Sequence, residues 1–366
     1  MPRKDFILLL LVFCAGVNAK AADVDPEVMR LHKDAIVCDL HADTTILIRD
    51  LGYDMSKRHH ALPFGPSGFI PIFSDIDIPR MRDGGLDLCT MAICVHPFDN
   101  HTEGSAERTR ESFAALERML VENAGDIALA RTATAAREII SSGRIAAIIG
   151  IEGGHHIEDD IKNLVEFYNL GARYMTLSHS HGCHWSVAAG MDEESEFKGL
   201  TDFGREVVRE MSRLGMMVDL AHCSVNTFWA ALEEFDGPLL CTHNGARALA
   251  DHPRNLYDDQ IKAVAERGGV IGVIYHTGYL DTSGEKEKDV ALVVDHIDHF
   301  VKVGGIDVVA LGSDFDGGVT MPRDLSDASK LPNITAELVR RAYSEKDIRK
   351  ILGENFLRVM KAVTEK

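Results

Sequence analysis

Clustered basic charge is missing from this chain: 39 Lys and Arg stand against 57 Asp and Glu, for a formal net charge of −18 at pH 7. Nucleic acids and anionic membrane surfaces are held by grouped cations, so neither is expected as a partner. No segment rich in Pro, Gly or Ser divides the sequence, and no repeat appears beyond an alternation of strand and helix patterns. One large core is the simpler organisation. No CxxC pair is present, which argues against a zinc knuckle. Residues 335–366 contain no hydrophobic tail, so no GPI anchor is expected.

The one long apolar run lies at the start. Arg3 and Lys4 precede an apolar stretch from Phe6 to Val17, and Asn18-Ala-Lys-Ala-Ala22 follows. This is the pattern of a secretory signal peptide cleaved after Ala19 or Ala21, and the run is too short to span a bilayer as a stable helix. A lipoprotein reading would need Cys14 as acceptor, but bulky Phe13 directly precedes it. Residues 1–21 are therefore expected to be removed on export to a periplasm or the exterior, with 22–366 as a single domain. Six cysteines remain, at 38, 89, 94, 183, 223 and 241. Cys38, Cys89, Cys94 and Cys241 lie inside apolar runs, where a thiol behaves as a small buried hydrophobe, so mostly free thiols are expected. Cys183 and Cys223, both just after strand ends, are the pair to test first for a disulfide.

Eight segments read as buried parallel strands: 36–41, 86–95, 145–151, 173–178, 216–221, 238–242, 270–275 and 308–312. Helical patterns separate them. Leu200, Phe203, Val207, Val208, Met211 and Leu214 recur at helical spacing, with Thr201 as a start cap and Gly215 as a stop. A shorter helix is expected over 224–235, and Ser344 with Asp347 forms a capping pattern near the C-terminal end. The arrangement predicts an α/β fold, a (β/α)8 TIM-type barrel. Insertions over 44–84 and 183–197 fall on the side of the barrel that carries specificity and read as lids.

Most of these strands end in a residue able to bind a metal or move a proton, and a barrel of this kind delivers all such ends to one mouth. His41 and Asp43 lie two apart in extended backbone, so both side chains face the same way and can hold one ion. Asp39 shares that alternation and could orient His41, or serve as a buried structural carboxylate. Glu152 ends an apolar run and is followed by two glycines; a buried carboxylate needs a partner, and its two oxygens can bridge two ions. The alternative for Glu152 is a buried ion pair with an arginine. His222 and His243 end consecutive strands and could share the second ion, a donor set that suits zinc, with manganese or cobalt as substitutes. Asp314 is suited to carry the catalytic proton, with Asp316 read as capping the turn that follows, and His179 is suited to polarise a carbonyl oxygen. His181 and His184 read as surface or lid residues. No strand ends in lysine, so a bridging Glu152 is favoured over a carbamylated lysine. Two such ions activate water and polarise the bond under attack, making hydrolysis the reaction class.

Asp39-Leu-His41-Ala-Asp43-Thr, Gly150-Ile-Glu152-Gly-Gly-His, Arg173-Tyr-Met-Thr-Leu-Ser-His179-Ser, Asp219-Leu-Ala-His222-Cys-Ser, Thr242-His243-Asn and Gly312-Ser-Asp314-Phe-Asp-Gly together resemble the membrane dipeptidase (renal dipeptidase) family, peptidase M19, a group of amidohydrolase-like metal-dependent hydrolases. The resemblance spans nearly all of the mature chain. It implies a dinuclear zinc metallodipeptidase with two Zn²⁺ per subunit bridged by Glu152, His41 and Asp43 on one ion, and His222 and His243 on the other. Free dipeptides would be cleaved by hydroxide held between the ions, including those with a D-residue at the C-terminal position. It further implies that His179 contacts substrate and stabilises the tetrahedral intermediate, that Asp314 handles the proton, and that Arg254 and Tyr279 hold the dipeptide's carboxylate. A homodimer is familiar in the family. Mammalian members carry a disulfide cysteine where this chain has His181, so that bridge is not expected. Two other readings stay open: another barrel hydrolase acting on an N-acyl amino acid, lactone or β-lactam, and a non-catalytic peptide-binding barrel.

Overall fold

Eight strands run parallel around one axis: β1 (Cys38–Ala42), β2 (Leu88–Cys94), β3 (Ile145–Glu152), β4 (Ala172–Thr176), β5 (Met217–Asp219), β6 (Leu240–Asn244), β7 (Val270–Val273) and β8 (Val309–Leu311). Each pairs with the next in chain order. The computed structural model describes residues 24–59, 62–64, 70–72, 74–95 and 103–365, so the expected signal segment lies outside the described residues. Between β8 and β1 the ring closes through a parallel bridge of Ala42 with Phe315, with Asp314 N–H donating to His41 O at 3.1 Å and Asp43 N–H to Phe315 O at 2.8 Å. The result is the (β/α)8 barrel that the strand pattern predicts.

Every residue of β2 and β3 is buried, as both faces of a barrel strand must be when helices cover the outside. Register matters here. Leu88 pairs with Ala146 and the alignment continues without a break to Cys94 beside Glu152, fixing a thiol next to the carboxylate that ends β3. Helix boundaries follow local chemistry. Asp202–Leu214 starts where Thr201 Oγ1 accepts from Gly204 N–H at 3.3 Å, and stops at Gly215 in a left-handed conformation (φ 76°). Val225–Glu234 is capped by Ser224 (3.1 Å to Thr227 N–H), and Glu345–Arg349 by Ser344 (3.2 Å to Asp347 N–H).

Several strand ends differ from expectation by one or two residues. β3 includes Glu152 and β6 runs on to Asn244, so His243 sits within a strand rather than beyond it. A short strand, Ile127–Leu129, was not anticipated; it pairs with Ile145–Ala147, below the point where β4 begins its own pairing at Ile149. Three apolar residues between two helices are too few to show a strand period. The first long insertion contains an antiparallel pair, Leu62–Phe64 with Ile70–Ile72. Cys38, Cys89, Cys94, Cys183, Cys223 and Cys241 are all free thiols, so the Cys183–Cys223 bridge is not formed; burial pushes both of those thiols up to about 12. Among the described residues no helix is long and apolar enough to cross a membrane.

Candidate metal centre

Glu152, 2% exposed at the end of β3, is the hub of the barrel mouth. Three imidazole Nε2 atoms surround its Oε1: His222 at 3.1 Å, His41 at 3.2 Å and His243 at 3.4 Å. His179 Nε2 lies 3.6 Å from Oε2, and the Nε2 atoms of His222 and His243 are 2.9 Å apart. Asp43 Oδ2 is 3.6 Å from His41 Nε2. Although Asp43 stands at the N-cap of helix Thr44–Leu51, its carboxylate makes no cap bond and points into the site instead.

The strand ends are bent to achieve this. His222 (φ 59°) and Asp314 (φ 65°) adopt left-handed backbone, which side chains other than glycine take up at a cost. Gly317 allows the tightest approach: a Cβ there would lie 2.4 Å from Asp314 Oδ1 and 2.8 Å from Asp43 Oδ2. Two carboxylates thus converge on one glycine. Burial and Glu152 push Asp43 above its ordinary range, and burial with Asp43 pushes Asp314 well above it. Glu152 goes the other way, because His41, His179 and His222 outweigh its burial and hold it well below. Burial, with Arg254 and other imidazoles, keeps His222 and His243 well below their usual value, so both present neutral rings. Burial opposes a charge on His41, but Tyr174, Glu152 and Asp43 prevail and raise it.

Hydrogen bonds behind the rings set which nitrogen faces the centre. Thr242 Oγ1 donates to Asp219 Oδ2 at 2.8 Å and therefore accepts from His243 Nδ1–H at 2.8 Å, leaving the Nε2 lone pair forward. Tyr174 does the same for His41, with Nδ1 to hydroxyl 3.0 Å and the hydroxyl donating to Leu40 O at 3.4 Å. Gly150 makes room for that tyrosine. A Cβ on it would lie 2.0 Å from the Tyr174 ring.

This donor set fits divalent metal. At the centre, His41 Nε2 and Asp43 Oδ1 are buried with no hydrogen-bond partner among the described residues. Ligand atoms on a tetrahedral zinc with bonds of ~2.0–2.1 Å lie ~3.3 Å apart, the spacing seen around Glu152 Oε1. Three overlapping groups could hold an ion among the described residues: His41, Glu152 and His243; Cys94, Glu152 and His179; His41, Asp43 and Asp314. Four of the five expected ligands, His41, Asp43, Glu152 and His243, fall in these groups; His222 is in none of them and joins the centre through its 3.1 Å approach to Glu152, and His41 belongs to two groups, so the ligands are not divided into the expected pairs.

A cavity of about 340 Å³ opens over the centre, lined by Asp43, Glu152, His179, His222, Tyr279 and Asp314 among others. His181 lines it too and is exposed, while His184 pairs with Asp159 at 2.6 Å outside it. Arg254 is buried against the centre: Nη2 donates to His243 O at 3.3 Å, and Nε and Nη1 have no partner among the described residues. Its guanidinium lies 5.8 Å from the Tyr279 ring centre.

Of the two readings of Asp39, the structure has the buried structural carboxylate: its Oδ1 accepts the main-chain N–H groups of His41 (3.1 Å) and Ser313 (3.0 Å), tying β1 to the end of β8. One expectation needs correction. Asp316 does not cap the following turn. It accepts from Thr44 Oγ1 (2.7 Å) and Asp75 N–H (2.6 Å), joining the loops after β1 and β8. Tyr174, Thr242 and Asp219 were not singled out from the sequence, nor was Cys94 as a neighbour of Glu152; Gly150, opposite Tyr174 in the β3–β4 register, was the one available clue.

Residues 26–366 match the family model described as membrane dipeptidase (peptidase family M19). The chain belongs to the membrane dipeptidase family. Solved structures agree with that membership. One described as dipeptidase AC, a metallopeptidase of family M19, is 27% identical with a TM-score of 0.80, covering 91% of this chain and 99% of that one. A metallopeptidase from Rhodobacter sphaeroides, liganded with a phosphinate mimic of the dipeptide L-Ala-D-Ala, is 26% identical with a TM-score of 0.79, covering 90% and 100%. The probable dipeptidase PvdM from Pseudomonas aeruginosa shares the fold at 21% identity and a TM-score of 0.81, covering 93% and 98%. As a member of the membrane dipeptidase family, the chain is a metallopeptidase-type hydrolase with a TIM-type barrel.

Proposed function

We propose that this protein is an exported dinuclear zinc dipeptidase that cleaves free dipeptides, both L-Xaa-L-Xaa and L-Xaa-D-Xaa. The observation that carries this reading is the convergence of His41, His222 and His243 on one oxygen of Glu152, beside two crowded carboxylates and a buried guanidinium with two nitrogens unpartnered among the described residues. His41 and Asp43 would hold one ion, His222 and His243 the other, with Glu152 between them. Bound divalent ions supply Lewis acidity at the scissile carbonyl and lower the pKa of water.

The chain's own residues do the rest. Arg254, whose Nε and Nη1 are buried with no partner among the described residues, donates as a fork to the substrate's terminal carboxylate, and Tyr279 lines the neighbouring end of the cavity. His179 stands on the cavity wall and donates to the carbonyl oxygen as negative charge develops there. Asp314, held above the usual carboxylate range by burial and Asp43, takes a proton from the attacking water and delivers it to the leaving amine. The signal pattern in residues 1–21 supports export to a periplasm or the exterior. The R. sphaeroides metallopeptidase bound to an L-Ala-D-Ala mimic supports the substrate class.

The test is turnover of L-Ala-L-Ala and L-Ala-D-Ala by zinc-loaded protein, with Arg254→Met as the control. Hydrolysis of both is expected, and the variant should raise KM for dipeptides by about 10- to 100-fold while leaving a dipeptide amide unaffected, since a charge-assisted bond contributes ~1.5–3 kcal/mol. Equal effects on dipeptide and amide would remove Arg254 from carboxylate recognition, and turnover of neither would reject the dipeptidase reading.

A further inference from the structure

Tyr279 is held between two imidazoles that the chemistry above does not use. His252 stacks on it with ring centres 4.1 Å apart and planes at 23°, and His276 meets it edge-on at 4.4 Å and 75°. His276 is fixed in turn by Thr320 N–H, which donates to its Nδ1 at 3.0 Å. His252 has a second contact: its Nδ1 accepts the main-chain N–H of Arg254 at 3.2 Å. One half-buried ring thus touches both the backbone that carries the guanidinium and the aromatic wall beside it.

Asn255 builds the same link from below. Its Nδ2 donates to Tyr279 O (2.7 Å) and Ala250 O (2.9 Å), and its Oδ1 accepts Gly245 N–H at 3.1 Å. Asn244, the last residue of β6, donates from Nδ2 to Arg254 O at 2.9 Å. The segment bearing Arg254 is therefore anchored to the strand that supplies His243 on one side and to Tyr279 on the other. A fork that engages both oxygens of a carboxylate tolerates only ~0.5 Å of misplacement. Among the described residues the Arg254 side chain makes one hydrogen bond of its own, so its orientation depends on what holds its backbone.

We infer that His252 is a positioning residue that locks Arg254 and Tyr279 into one rigid carboxylate acceptor and so sets the preference for substrates with a free C-terminal carboxylate. This rests on the dipeptidase reading above. His252 is not among the residues lining the cavity, and among the described residues its hydrogen-bond and ring contacts are to Arg254 and Tyr279, so its loss should weaken binding of the carboxylate and spare the chemical step.

Three variants separate its two contacts: His252→Phe keeps a stacking face without the acceptor, His252→Asn keeps an acceptor without the ring, and His252→Ala removes both. With Ala-Ala as substrate and zinc-loaded protein, His252→Ala should raise KM about 10-fold with kcat within about twofold, and the other two about 3-fold each, as expected for one modest contact apiece. KM for Ala-Ala amide and bound zinc should stay at wild-type values in all three. KM for the dipeptide within twofold of wild type in His252→Ala, or a parallel change with the amide, would overturn the assignment. If wild-type protein hydrolyses neither compound, the dipeptidase reading fails on its own, and calorimetric binding of D-alanine then decides: weaker binding in His252→Ala supports the positioning role, while equal or undetectable binding to wild type and variant rejects it.

Discussion

Removing a single oxygen from Tyr174 is the most informative perturbation of the centre. The hydroxyl accepts from His41 Nδ1–H at 3.0 Å and donates to Leu40 O at 3.4 Å, deep inside the barrel. Tyr174→Phe keeps the ring that fills the space opposite Gly150, so no cavity forms. It leaves the His41 Nδ1–H buried without an acceptor, which destabilises by ~1–3 kcal/mol and releases the ring from the tautomer that turns its Nε2 lone pair toward Glu152. Partners that orient a metal ligand in this way contribute 10- to 100-fold in metal affinity. Competition with a chelator of known affinity should therefore show zinc binding weakened by about 10- to 100-fold, with the far-ultraviolet circular dichroism of the folded protein unchanged. Affinity within twofold of wild type would refute the argument that Tyr174 orients His41.

Gly150→Ala attacks the same contact from the other side. Its Cβ would lie 2.0–2.5 Å from three Tyr174 ring carbons, so the ring must tilt away from His41; thermal denaturation should show a loss of ~1–3 kcal/mol or more, and zinc affinity should fall at least as far as in Tyr174→Phe. Metal loading should release protons, because Asp43 and Asp314 are held above the ordinary carboxylate range without it; a weakly buffered titration with Zn²⁺ should acidify, and zinc affinity should weaken as pH falls. Asp87 is raised from 3.8 to about 6 by burial, so the folded state binds its proton more tightly than the unfolded chain and stability declines as pH rises from about 4 to about 6. Asp87→Asn removes that decline, which a comparison of Tm for the two proteins across this window would reveal.

The barrel and the ligands were legible for the same reason. Apolar runs ending in His41, Glu152, His222, His243 and Asp314 state both that a strand is buried on two faces and that its last residue is not there for packing. What lay one layer behind was not legible. Tyr174 reads as one more aromatic in a buried strand, and its hydrogen bond to His41 depends on β1 and β4 facing each other across the barrel, more than 130 residues apart. Asp219 was visible only as part of the stretch around His222; that it accepts from Thr176, Ala221 and Thr242 follows from the register of β4, β5 and β6. Asp39 stayed open between two roles because alternation fixes the face of the strand but not the partner: its Oδ1 meets main-chain N–H groups, not an imidazole. The strand Ile127–Leu129 escaped because it is stabilised by pairing with β3 rather than by any period of its own.

The central claim is that two ions are gathered at one barrel rim with Glu152 between them. Anomalous diffraction from crystals grown with zinc tests it most directly. Two peaks are predicted, one within bonding distance of His41 and Asp43, the other of His222 and His243, both touching Glu152. A single peak, or any zinc whose ligands exclude Glu152, would contradict the account.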